Sequence, residues 1–390
     1  MENQTIARPC FICGAAGGAA MFAHDYEVCG LGRVRYALRC CEGCGLVLQD
    51  PAVSPQTMAR QYAMFSNYLA YAPGDPPLSP TAGRMLQMLA QQNAAPGRVP
   101  GRVYDIGAST GAMLWHFRKQ GWAVGGCDLS PLAVSQAKAL NGVDLDHGDC
   151  EATLPGHAGL DLVTLSHVLE HIYEPVSVLA AIRAALAEDG HLLFEVPCLT
   201  APQINPAGLF TMEHVNFFER TSIENLLGAA GFEVARASVT LDHFPYPVIT
   251  VLAGKAEPAN GGARPSGFAR NLDFLRAYQV VEQRIWDGVD ARLHEAVAQG
   301  ERVYLWGAGI HTSMLLARTG LGRRARIAAI TDRDAQKHGQ CVGDYPVVAP
   351  EAALASGDKI VVSSFVSEAA IADGLLRQGL PEGRIVRLYT

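Results

Sequence analysis

The chain has 390 residues, 49% of them hydrophobic and 18% charged, with a formal net charge of −7. That length gives room for two or three domains with real cores, and the acid excess argues against general affinity for nucleic acid or anionic membranes. The opening residues carry no apolar h-region and no apolar run reaches spanning length, so a cytoplasmic protein without a membrane partner is expected.

Among the ten cysteines are two Cys-x-x-Cys pairs, Cys10/Cys13 and Cys41/Cys44, separated by 27 residues. In a cytoplasmic setting such pairs point to metal rather than disulfides. Four thiolates close a tetrahedral zinc site with no open position, which makes it structural. Gly14 and Gly45 suit the two knuckle turns. Cys40 is a register alternative, but only Cys41 has the two-residue gap to Cys44, and Cys29 has no assigned role. A redox pair fits poorly, because two pairs are present. A nucleic-acid ribbon fits poorly as well, because residues 1–50 hold four Lys/Arg against five Asp/Glu.

Residues 51–80 read as irregular, with Tyr62, Phe65, Tyr68 and Tyr71 ahead of Pro73, Pro76, Pro77 and Pro80. They make a connector or lid whose aromatics mostly pack on the next domain. A helical period runs from Thr81 to about Gln92 through Met85, Leu86 and Leu89. Then Val103-Tyr104 leads into Asp105-x-Gly107-x-x-x-Gly111, a helical pattern (Met113, Leu114, Phe117), a second apolar run and Asp128. This is strand, glycine turn, helix, strand, acid: the first half of a doubly wound nucleotide fold. Gly107 and Gly111 allow the tight turn, and Asp128 at a strand tip is placed to accept from two ribose hydroxyls. A pyrophosphate loop would read Gly-x-Gly-x-x-Gly. Asp105 would repel a pyrophosphate but suits the ammonium of S-adenosylmethionine (SAM).

Ser130-Pro131 opens a helix to Leu140, Val143–Asp146 reads as a third strand, and Asp149 is placed to bond an adenine amino group. Leu160–Leu165 is a buried strand ending in Ser166-His167-Val168-Leu169-Glu170-His171. A helix over 176–186 and a strand over 191–197 follow, and then Thr211-Met212-Glu213-His214, a helix over 222–230 and a strand at 232–234.

From Thr81 to about Lys255 these motifs, in this order, resemble a class I SAM-dependent methyltransferase. That resemblance sets SAM against Asp105, Gly107, Ala108, Gly111, Asp128, Leu129, Asp149, Cys150, Ser166 and His167, with Tyr68 as the aromatic hydroxyl near the sulfonium. With a zinc module in front and an α/β unit behind, the whole chain resembles the three-part nucleotide-sugar C-methyltransferases of deoxysugar biosynthesis. Their Tyr-x-Glu-His motif is matched by Glu213 and His214, with Thr211 where the tyrosine would stand. The resemblance implies His214 as the base and Glu213 as its partner, with His171, Thr211 and Asn216 on the substrate side. Carbon becomes a nucleophile once a proton α to a carbonyl is removed, and a histidine near neutrality suits that step. The same residue could deprotonate a hydroxyl.

Residues 256–267 have linker composition, and 268–298 form one long helical pattern (Leu272, Leu275, Val280, Ile285, Val289, Leu293, Val297) that packs between domains or supports a dimer. Strands at 302–306, 326–331 and 359–364, with Gly307-x-Gly309 opening a helix and Asp332 ending a strand, make a Rossmann-like unit with Thr312 in place of the third glycine. By the resemblance, this unit helps hold a nucleotide sugar, with Gly307, Gly309 and His311 as candidates.

The expected fold is α/β in three parts: a zinc-binding module and connector (1–80), a SAM domain (81–255), and a linker, long helix and Rossmann-like domain (256–390). The expected partner is a small molecule, a nucleotide-linked ketosugar, acted on by a monomer or homodimer. The rivals are an O- or N-methyltransferase, which Thr211 favours, and an NAD(P)-dependent oxidoreductase using Gly307 and Asp332. A non-catalytic zinc protein that binds partners is the third.

Overall fold

In the computed structural model, residues 5–64, 74–92, 101–199, 209–241, 245–258 and 265–389 are described. Tyr68, and half of the linker expected between 256 and 267, lie outside them. The mixed α/β architecture is as expected, built on three main sheets.

The central sheet takes its form from the strand–turn–helix alternation between 102 and 255. Its order is Phe232–Thr240, Val248–Lys255, Leu186–Pro197, Leu160–Ser166, Arg102–Ile106, Ala123–Asp128, Asp146–His147. Val248–Lys255 runs antiparallel to both its neighbours, and every other pairing is parallel. Strand order reverses beside Arg102–Ile106, so the crevice at its carboxyl end is the switch point where such sheets take ligands. The strands are near-continuous apolar runs because both faces are covered. Helix Pro80–Gln92 packs Met85, Met88 and Leu89 on one face, and helices Pro175–Ala185 and Arg220–Ala229 cover the other.

Three expectations change here. The third strand is only Asp146–His147. Val143 is used earlier: Gly142 ends helix Pro131–Asn141 in the left-handed region (φ 63°), and the Val143 amide closes back on Ala137. Its side chain then tucks in beside Gly111. Residues 51–80 are not irregular throughout, because Pro55–Met64 is a helix whose first turn is capped by Ser54 Oγ accepting from the Thr57 amide. Strand Leu186–Pro197 also starts earlier than position 191, with a register shift between Leu186 and His191.

The N-terminal sheet pairs Gly18–Val28 with Gly32–Cys41, then Val47–Gln49, all antiparallel. Its fourth strand, Asn216–Phe217, is contributed by the far end of the central region. The C-terminal sheet has order Cys341–Val342, Tyr345–Val348, Arg326–Thr331, Arg302–Trp306, Lys359–Val362, Ile385–Val386, parallel apart from its first hairpin.

Helix Phe268–Ala296 joins the N- and C-terminal sheets. Its buried face is Phe274, Leu275, Tyr278, Glu282, Trp286, Val289 and Leu293. Tyr278 meets Phe210 and Phe22 edge-on at 4.7 and 5.9 Å, while the other end joins the cluster around Val303 and Leu305. Val280, expected on this face, is 51% exposed, because two aromatics at 274 and 278 set the phase of the helix. Among the described residues no helix is long and apolar enough to cross a membrane.

Candidate active site

The turn after strand Arg102–Ile106 is shaped by close approach. Gly107 and Gly111 both have φ 70°, and a Cβ on Gly107 would lie 2.6 Å from Val168 Cγ2. The Gly107 and Ala108 amides both donate to Cys127 O, at 2.9 and 3.0 Å, which binds the turn to the neighbouring strand end. Ser109 holds φ 51° without being glycine, as does His167 (φ 54°) at the end of the next strand. Two such residues facing one crevice are the kind of backbone strain that gathers at ligand sites.

Asp128 accepts from the Ser109 amide at 2.8 Å and the Ser130 amide at 2.9 Å. Each of its oxygens keeps a second lone pair for a ligand hydroxyl. Leu129, 58% exposed, follows it, and with Ala59, Tyr62, Pro131, Leu132 and Gln336 lines a cavity of about 460 Å³. Asp149 lies nearby and exposed, where it caps helix Cys150–Thr153 through the Ala152 amide, with Cys150 buried beneath. Asp105 is 3% exposed and accepts from Thr164 Oγ1 at 2.6 Å. Burial pushes its carboxyl up to about 7, against the Thr164 bond and with the help of Asp128's charge. At neutral pH it is thus poised between charged and neutral.

Beyond Ser166, at the end of strand Leu160–Ser166, lies a row of charges. Arg84 grips Glu195 with two nitrogens at 2.5 and 2.8 Å. His167 Nε2 is 3.5 Å from Glu195, and its Nδ1 is 3.4 Å from Glu170. Burial alone would push His167 down, but Glu170 and Glu195 outweigh it and raise the imidazole to about 9. Glu170, 1% exposed, makes no close hydrogen bond among the described residues, and its carboxyl is held down against burial by His167 first and then by His171 and His214.

His171 Nε2 lies 3.8 Å from Glu170, while its Nδ1 bonds Glu213 O at 2.8 Å and Tyr62 Oη at 3.1 Å. His214 Nδ1 bonds Leu209 O at 2.8 Å. The two rings stand 5.0 Å apart at 71°, and one nitrogen of each lies with a Glu170 oxygen inside a 4.8 Å circle. Burial pushes His214 down to about 4, so it is neutral at pH 7. Sequence reasoning gave His214 the acid beside it in the chain. The Glu213 carboxylate instead accepts from Gln61 Nε2 at 3.3 Å, and the carboxylate facing the histidine pair is Glu170. Among the described residues, Tyr62 also brings a hydroxyl to His171, a contact that sequence reasoning missed.

The loop carrying His214 is held from the N-terminal sheet. Gln49, 0% exposed, turns its amide to Thr211 O, Met212 O and His214 O at 3.2, 3.1 and 2.9 Å. Arg8 donates to Val215 O and to Asn216 Oδ1, and Asn216 donates to Ile172 O. Asn216, expected on the substrate side, is 1% exposed and has its amide engaged in holding the loop. The Thr211 side chain is buried, and its hydroxyl has no hydrogen-bond partner among the described residues.

Cys10, Cys13, Cys41 and Cys44 converge, with Cys10–Cys44 at 3.5 Å and Cys13–Cys41 at 3.4 Å. Four sulfurs at about 2.3 Å from Zn²⁺ would stand about 3.8 Å apart, so the set fits a tetrahedral ion with little movement. Gly14 and Gly45 have φ 73° and 82°, as knuckle turns require. Cys40 points away, its Sγ against Gly45 O and Phe268 O, and burial pushes its thiol up to about 12.

In the C-terminal unit, Gly307, Gly309, His311, Asp332, Lys337 and Ser363 line a cavity of about 600 Å³. Asp332 accepts from the Ala308 and Asp334 amides and from Lys337 Nζ at 3.0 Å. Thr312 is fully buried and bonds Gly307 O and Ser363, which fills the space where a dinucleotide loop needs a third glycine. His311 is bonded at both nitrogens, to Ser363 Oγ at 3.0 Å and Tyr389 Oη at 2.6 Å. Burial pushes it down to about 4.

A family profile described as "Methyltransferase domain" matches residues 82–237. The Ubiquinone biosynthesis O-methyltransferase of Pectobacterium atrosepticum is 31% identical over 152 residues, 37% of this chain and 62% of that protein. The protein of the same name from Yersinia enterocolitica is 33% identical over 101 residues, 24% of this chain and 41% of its own. The chain thus spans less than two thirds of the length of these curated relatives. Among solved structures, the 1,6-didemethyltoxoflavin-N1-methyltransferase of Burkholderia thailandensis, with bound S-adenosylhomocysteine, shares 21% identity. It covers 46% of this chain and 79% of its own at a TM-score of 0.37, a likeness too slight to carry an argument.

Proposed function

With residues 82–237 forming a class I SAM-dependent methyltransferase domain, we propose that the protein transfers the SAM methyl group to a carbon beside the ketone of a nucleotide-linked sugar. The observation that carries this is the histidine pair. His171 and His214 each hold an N–H against a backbone carbonyl and so keep a bare nitrogen, and Tyr62, which bonds His171, also lines the cavity beside Leu129. His214 takes the α-proton, and the resulting enolate carbon attacks the methyl in line. The nucleotide part goes to the cavity around Gly307 and Lys337. Zn²⁺ in Cys10, Cys13, Cys41 and Cys44 is structural: it fastens the knuckle whose Gly45 O and Cys44 O accept from Asn271 and Gly267 at the start of the long helix. A second reading, O-methylation, is favoured by Thr211 in the tyrosine position and by the names of the curated relatives.

The first test is calorimetry with S-adenosylhomocysteine on wild type and Asp128→Ala, with folding checked by a thermal melt. Binding lost in a folded variant supports the cofactor reading, and no binding to wild type sinks it. Nucleotide-linked ketosugars are then screened in D₂O without SAM. Exchange of a substrate C–H, lost in His214→Ala, supports carbon chemistry. Methyl transfer without any exchange moves the acceptor to oxygen.

A further inference from the structure

The proposed reaction leaves one strong group without a part, the Glu170 carboxylate. It is 1% exposed, and neither oxygen makes a close hydrogen bond among the described residues. A buried charge is expensive unless it is paired, and Glu170 has one cation beside it at rest, the His167 imidazolium with Nδ1 at 3.4 Å. Its other neighbours show where a second positive charge can stand.

Because a carbonyl only accepts, the bonds to Glu213 O and Leu209 O put a hydrogen on Nδ1 of both His171 and His214. In the neutral rings Nε2 then carries a lone pair. His171 turns that nitrogen to Glu170 at 3.8 Å, and one nitrogen of His214 joins the same 4.8 Å circle. His171 Nε2 and the Glu170 carboxylate are thus acceptors facing each other with no hydrogen between them, and a nitrogen of His214 stands in the same circle. Either a cation or a proton belongs there.

The neighbouring charges decide which. Arg84, Glu195, His167 and Glu170 alternate in sign along the strand ends, and with His167 protonated the row sums to zero. A divalent ion would add two positive charges beside an imidazolium that is already 3.4 Å from the shared carboxylate. A single proton adds one charge and continues the alternation. Among the described residues, the other polar groups with rings against the pair are Tyr62 and Tyr246, which bring no positive charge, while the Glu213 side chain turns to Gln61.

We infer that His171 and His214 take up one proton as a pair against the buried charge of Glu170, which makes Glu170 the positioning residue that sets the basicity of the site. This rests on the reading of the pair as the place where the acceptor loses its proton. In the transfer, the acceptor's C–H electron pair becomes the new C–CH₃ bond. The C–S pair returns to sulfur, leaving S-adenosylhomocysteine, and the proton goes to the pair, where Glu170 balances it before release to water.

The test needs no substrate. In ¹⁵N-histidine-labelled wild type, Glu170→Gln, Glu170→Asp and Glu213→Gln, imidazole nitrogen shifts report the first proton taken up by the pair, read as one coupled titration. Removing an opposite charge at this range is expected to lower the apparent pKa of the pair by about one to three units in Glu170→Gln. Glu170→Asp should fall by less, and Glu213→Gln should leave it in place. Unchanged titration in both Glu170 variants overturns the inference, as does an equal shift in Glu213→Gln. A second metal equivalent by elemental analysis, beyond that in the cysteine cluster, overturns it in favour of a cation site. Calorimetry with S-adenosylhomocysteine on the same samples tests the cofactor separately, so a failure of the methyl-transfer reading shows apart from the titration.

Discussion

Gln49→Met removes the amide that reaches the His214 loop from the N-terminal sheet while keeping the side chain's length and volume. The amide has two hydrogens shared among three carbonyls, those of Thr211, Met212 and His214. Two bonds at roughly 1 kcal/mol each, with a further penalty for buried carbonyls left bare, give a loss of about 2 to 4 kcal/mol. This energy is spent locally: the loop opens without the sheets coming apart. At about 1.4 kcal/mol per decade, opening rises by roughly thirtyfold or more. Hydrogen exchange at the Val215 amide, which donates to Glu170 O at 2.9 Å, is the reporter. It should speed up by that factor, while the Gly107 and Ala108 amides and binding of S-adenosylhomocysteine stay as in wild type. Unchanged Val215 exchange would refute the claim that the N-terminal sheet holds the His214 loop. Equal acceleration at Gly107 would show global destabilisation instead.

Gly107→Ala should destabilise by about 2 to 5 kcal/mol, from the left-handed backbone and the 2.6 Å clash with Val168. Adding Val168→Ala should relieve only the clash, which a double-mutant cycle in urea measures. Chelation of zinc, or Cys10→Ser, should lower the melting temperature and raise exchange around Gly45 and Asn271. Elemental analysis should find one zinc per chain in wild type and none in the variant. Asp105 gives a pH signature whose sign follows from burial. Its folded pKa, about 7, lies above the unfolded value, so the folded state binds the extra proton between about pH 4 and 7. Stability relative to Asp105→Asn should therefore fall as pH rises through that window, by at most about 4 kcal/mol, and level off above it. A difference that grows in the opposite direction would place Asp105 in a charge-stabilised setting.

The local grammar of the chain was legible wherever one residue type has one physical use. Gly107 and Gly111 marked the turn because only glycine takes φ 70° without strain, and the Cys-x-x-Cys spacing brought four sulfurs together. The alternation of strand and helix set the parallel core of the central sheet. The same grammar was available at Ser54-Pro55, where it starts a helix as it does at Ser130-Pro131. The flanking prolines and aromatics masked it. What the sequence could not determine is who faces whom across long separations. Glu213 adjoins His214 in the chain, yet Glu170 faces the histidine pair, because the backbone after strand Leu160–Ser166 folds that carboxylate inward and Glu213 outward to Gln61. Asn216–Phe217 belongs to the N-terminal sheet because Val47–Gln49 offers an open edge there, and with that pairing comes the grip of Gln49 on the loop. A motif specifies the residues of a site, but their partners are set by packing between segments distant in sequence.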